Sequence, residues 1–89
     1  LDKFSLINNF LVAPIPASEN LTVSALSNNI TFKNLKIFNI YGKEIFIVEK
    51  NNFSLASTSV DVSMLANGIY ILAIETKLGY VFKQIIIRI

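Results

Sequence analysis

The side chains able to do chemistry in this 89-residue chain are carboxylates, lysines, tyrosines and hydroxyls, because cysteine, histidine and tryptophan are all absent. Without Cys or His there is no Cys-His pair, no Ser-His-Asp triad, and no thiolate or imidazole to build a zinc, haem or iron–sulfur site. The acids Asp2, Glu19, Glu44, Glu49, Asp61 and Glu75 stand singly, and none has the Asp-x-Asp-x-Asp spacing of a calcium loop. A glycosidase needs two carboxylates held across a cleft. A chain this short builds one modest core and no second lobe to close such a cleft. No catalytic residue, metal or cofactor is expected.

The basic residues Lys3, Lys33, Lys36, Lys43, Lys50, Lys77, Lys83 and Arg88 are scattered, and the net charge is only +2. Nucleic-acid binders gather Lys and Arg into a patch dense enough to displace counterions. Here no two are adjacent, so no nucleic-acid partner is expected. The triplets at Asn20, Asn29 and Asn52 match the glycosylation pattern at about the frequency that chance gives. The phenylalanines are expected mostly in the core rather than in a sugar-binding platform.

One local pattern has a mechanical reading: Leu65-x-x-Gly68-x-Tyr70. In Greek-key sandwiches a tyrosine at the start of a central strand folds its ring over the preceding corner and hydrogen-bonds upstream backbone. Gly68 would supply backbone freedom just before it. The competing reading takes Asn67-Gly68 as a two-residue hairpin turn. The weak strand before this segment and the strong one after it favour the corner.

The elements that must position these residues read as strands. Residues 10–12 are short and apolar, and Pro14 and Pro16 then force an edge or a bend, since neither has an amide donor. Residues 21–25 alternate apolar with hydroxyl side chains, the two-residue period of a strand with one wet face. Residues 35–40 and 44–49 form a hairpin around Tyr41-Gly42-Lys43, with Gly42 free to take positive φ. Residues 57–62 alternate weakly. Residues 69–74 are apolar on both faces and read as the most buried strand. Lys77-Leu78-Gly79 turns into a last strand over 80–89, where Lys83 and Arg88 fall on opposite faces. No helical period is sustained anywhere.

These signals predict an all-β fold, an immunoglobulin-like antiparallel β-sandwich of about seven strands with Greek-key connections. Hydrophobic residues make up 53% of the chain and charged ones 16%. That balance is apolar enough to fold without disulfides. The longest apolar run, residues 69–74, falls far short of the roughly 20 residues of a membrane-spanning helix, so no transmembrane segment is expected. The chain opens on Leu1 with no signal-peptide pattern. It reads as the last domain of a longer polypeptide, with 1–9 as a linker from an upstream cargo and 10–89 as the domain.

Three segments and a closing strand carry a resemblance. Pro14-Ile15-Pro16-Ala17 with Asn20-Leu21-Thr22-Val23, then Ile37-Phe38-Asn39-Ile40-Tyr41-Gly42-Lys43, then the stretch from Val60 to Tyr70, closing with Phe82-Lys83-Gln84-Ile85-Ile86, resemble the C-terminal sorting domain of the type IX secretion system of Bacteroidetes. Order and spacing agree across the set. The chain departs from the family in having Ala13 and Ile15 about its first proline and fewer lysines in its last strand.

The resemblance implies a non-catalytic secretion signal at the end of an exported cargo protein. In the family, the domain directs its cargo across the outer membrane and is usually cleaved off at the cell surface. The implied partners are the type IX secretion machinery, including the outer-membrane translocon and a sortase-like peptidase, and the N-terminal cargo domain. The implied location is the periplasm in transit, then the cell surface or the medium. By position, Pro14 and Pro16 fall on the proline motif, Asn39 and Gly42 on the second motif, Leu65, Gly68 and Tyr70 on the third, and Lys83 on the basic terminal strand. The alternative is an accessory sandwich of a larger secreted enzyme that binds carbohydrate or protein.

Overall fold

In a computed structural model, which describes residues 9–26, 30–48 and 56–89, the described residues form seven strands and no helix. They are β1 (Phe10–Ala13), β2 (Asn20–Ala25), β3 (Phe32–Phe38), β4 (Glu44–Val48), β5 (Ser57–Asp61), β6 (Gly68–Thr76) and β7 (Gly79–Ile87). They form two antiparallel sheets, ordered β1-β2-β5 and β4-β3-β6-β7. Consecutive strands pair within β1–β2, β3–β4 and β6–β7, while β5 returns to pair with β2 and β6 with β3. These returns make the chain cross between sheets, as immunoglobulin-like sandwiches do. Unlike the constant-type arrangement, the fourth strand lies beside the third.

Alternation places the core. Leu21 and Val23 of β2, Leu35 and Ile37 of β3, Leu72 and Ile74 of β6, and Val81, Ile85 and Ile87 of β7 all turn between the sheets and are buried. Burying each such side chain contributes about 1.5–3 kcal/mol. Phe10 of β1 meets Phe32 of β3 edge to face, with ring centroids 5.8 Å apart, which stitches the sheets together. Valine and isoleucine dominate because β-branched side chains fit a pleated surface. Every buried side-chain polar atom among the described residues has a partner.

The structure differs from the sequence reading at several points. Strand β3 begins at Phe32, not Leu35, because a register irregularity between Phe32 and Leu35 breaks the two-residue period that marks a strand. It ends at Phe38 because Asn39 closes the turn, leaving Ile40 exposed. Strand β6 does supply the most buried run, but its outer face is not covered by another layer, and Ile69 is exposed. Among the described phenylalanines only Phe10 and Phe32 are fully core. Phe82 is 57% exposed on the outer face of β7. The linker expected over 1–9 lies outside the described residues except for Asn9, whose carbonyl accepts from the Leu26 amide.

Candidate functional site at one end of the sandwich

The antiparallel register brings the connections 14–19, 39–43 and 62–67 and the chain end after β7 to the same end of the molecule. Pro14, Pro16, Asn39, Gly42, Leu65, Gly68 and Tyr70 all lie there. Lys83 does not; it sits in mid-β7. Gathering these positions requires both sheets, since β1 and β2 carry the prolines and β3 and β6 the rest.

Each loop is held by its own backbone chemistry. In the proline segment both X-Pro bonds are cis and the rings are exposed. The ladder resumes at Ala17, which bridges in parallel to Ile87. Its N–H donates to the Ile86 carbonyl at 2.8 Å, and its carbonyl accepts from the Arg88 N–H at 2.9 Å. The prolines thus bend the chain off one sheet and deliver Ala17, fully buried, to the rim of the other. In the β3–β4 loop the Asn39 carboxamide oxygen accepts from the amides of Tyr41 at 2.9 Å and Lys43 at 3.0 Å. The Asn39 carbonyl also accepts from the Gly42 N–H, which is possible because Gly42 turns at φ +82°. An L side chain resists that conformation.

The third loop is the corner. The Tyr70 hydroxyl donates to the Ala66 carbonyl at 2.6 Å. Since β5 pairs with β2 and β6 with β3, the segment between them crosses sheets, and Asn67-Gly68 is not a hairpin turn. Gly68, at φ +158°, sits beside the ring: a Cβ there would lie 3.8 Å from Tyr70 Cε2, an ordinary contact, so backbone rather than space asks for glycine. At the start of the loop the Asp61 carboxylate accepts from the Ser63 hydroxyl at 2.6 Å and the Ser63 amide at 2.9 Å. The hydroxyl bond, then the amide bond, hold its pKa below the usual carboxylate range. Asn67 in turn accepts the Ile89 amide through its side-chain oxygen at 2.9 Å, tying the end of the chain to the corner.

Between the second and third loops runs an open groove of about 390 Å³ lined by Asn39, Ile40, Asn67, Gly68, Ile69 and Tyr70. At the same end of the sandwich Ile15, Ile40, Tyr41, Met64, Ile69 and Ile89 are exposed, Tyr41 at 88% and Met64 at 92%. Scattered exposed apolar residues need no explanation, but a set gathered at one end of a small domain makes that end a candidate surface for contact with other molecules. The sequence singles out the motif positions and gives no sign that Ile15, Met64 and Ile89 are exposed beside them in the same loops and chain end. Each stands outside any strand, so periodicity says nothing of its exposure.

A second apolar feature lies on the outer face of the four-stranded sheet. Tyr80 and Phe82 stack with centroids 6.1 Å apart, Lys36 Nζ lies 5.7 Å over the Tyr80 ring, and with Phe38 and Ala73 they line a cleft of about 230 Å³. The Lys36–Glu44 ion pair beside it, at 3.8 Å and partly exposed, contributes little. No group of three or more acids among the described residues is placed to hold a metal ion. No described helix is long and apolar enough to cross a membrane.

A comparison with curated proteins gives no match. Against known families, residues 11–88 match the one described as "Secretion system C-terminal sorting domain", an interval that takes in all seven strands but for Phe10. With a sandwich whose motif loops converge on one end and a match over nearly the whole chain, this protein belongs to the family of type IX secretion C-terminal sorting domains.

Proposed function

We propose that the domain carries an N-terminal cargo to the type IX machinery and through the outer membrane, and that the loop end of the sandwich is the face it presents. The observation that carries this is the family match across 11–88, joined to the gathering of seven motif positions at one end. Backbone and side-chain hydrogen bonds hold each of the loops, which lowers the ordering entropy that recognition costs. The cargo precedes residue 10, the translocon and a sortase-like peptidase act in sequence, and the domain is released at the surface. Transit runs through the periplasm.

The test is a fusion of residues 1–89 to a periplasmic reporter in a type IX-competent bacterium. Reporter should reach the surface or medium there, stay in the periplasm of a strain lacking the translocon, and stay there too when residues 80–89 are removed. Export that ignores either deletion contradicts the proposal.

The second reading, an accessory binding sandwich, draws on the cleft under Tyr80 and Phe82. It requires saturable binding of the isolated domain to a glycan or protein surface, lost in Phe82→Ala. A sorting signal alone needs no such binding.

A further inference from the structure

Lys83 is the motif position that stands apart from the loop end, and its register in β7 is uncommon for a charge. The core-facing residues of β7 are Val81, Ile85 and Ile87, exposed by 2%, 0% and 1%. Lys83 shares their face by alternation and pairs in register with Leu72, which is fully buried. Among the described residues it has no ion-pair partner.

Strand β7 is also the rim of its sheet. The Arg88 N–H and Ile86 carbonyl, both bonded to Ala17, point away from β6. In an unbroken antiparallel ladder alternate residues point their backbone groups to the same side, so Tyr80, Phe82 and Gln84 direct theirs outward as well. No described strand pairs with them. The other rim strands run 4 residues in β1 and 5 in each of β4 and β5, against 9 in β7. A long rim with exposed Tyr80 and Phe82 beside it is a ready template for another chain.

We infer that the free edge of β7 is a latent pairing surface for a second copy of this chain, and that Lys83 keeps it closed. Antiparallel pairing about a two-fold axis at Phe82 sets Tyr80 opposite Gln84 of the second copy, ending where Ala17 already occupies the edge. It sets each Lys83 opposite Val81 of the other copy and makes the two lysines diagonal neighbours, about 7–8 Å apart. Both face the interior, where the added strand strips water from them. The inner positions of β7 are otherwise Val81, Ile85 and Ile87, so no carboxylate there offsets the repulsion. An inward-pointing charge on a rim strand is a known way to block edge-to-edge association.

Size-exclusion chromatography with light scattering on the 89-residue chain tests this. Lys83→Met keeps most of the stem and removes the charge, and Lys83→Ile removes the charge with a β-branched core residue. Both should form dimers, with self-association at least about tenfold tighter than wild type, while Lys83→Arg stays monomeric. Adding Gln84→Pro removes an outward N–H without touching the β6–β7 ladder and should restore the monomer. Monomeric Lys83→Met and Lys83→Ile would overturn the inference, as would dimers that survive Gln84→Pro, because these would pair elsewhere.

Discussion

Tyr70 does two things with one side chain: its ring is buried at the start of β6, and its hydroxyl reaches back to the Ala66 carbonyl. Tyr70→Phe keeps the packing and leaves that carbonyl without its partner. It should cost about 1–1.5 kcal/mol, read as a lower denaturation midpoint with unchanged slope; an unchanged midpoint would remove the corner bond from the account. Asp61 makes a pH prediction of known sign. Its folded pKa is depressed by the Ser63 bonds, so its contribution to stability is present above the ordinary carboxylate value of about 4 and is lost as pH falls through the lower folded value. Asp61→Asn should flatten the melting temperature in that acid window, since an amide oxygen still accepts but no longer titrates. Tyr70 was legible in the sequence because a tyrosine two residues after glycine, ahead of an apolar run, has few other uses. The Asp61–Ser63 turn was not, because a lone acid before a serine is too common to single out.

At the scale of the element, the β3–β4 loop shows how local signals fix a turn but not the strands beside it. Gly42 marked the turn, and its φ of +82° bears that out. Gly42→Ala meets open space, so its cost is backbone strain alone, about 1–2 kcal/mol by chemical denaturation with the hairpin retained. A loss much larger than that would mean the side chain meets something in solution. The first residues of β3 escaped notice because an irregular register at 33–34 breaks alternation, and strand reading depends on alternation. The outer apolar residues of β6 misled in the opposite direction. Two apolar faces ordinarily mean two covering layers, yet here Ile69 meets solvent and Ala73 is covered by its neighbours on the same face. Lys83 reads differently at this scale as well: in the sequence it is one lysine among scattered ones, and only the pairing order shows it pointing inward from a rim.

For the whole molecule, composition and turn spacing foretold an all-β sandwich, but which strands pair came only with the structure. That β5 joins β2 and β6 joins β3 is a matter of long-range packing, and no short window of sequence contains it. This pairing is what gathers three separated motifs at one end. A radius of gyration of 12.3 Å, near the roughly 12 Å of a compact chain this long, leaves no room for a second lobe. The proposed function places recognition on a surface, and the loop end is the candidate that the motifs share. The most direct measurement is type IX-dependent export of a reporter fused to residues 1–89, comparing Ile40→Ser/Tyr41→Ser at the loop end with Leu78→Ser in the β6–β7 turn at the opposite end. All three side chains are exposed, so both variants should melt close to wild type. Export should fall at least about tenfold for the first and stay at the wild-type level for the second. Undiminished export of the folded Ile40→Ser/Tyr41→Ser fusion would contradict the account.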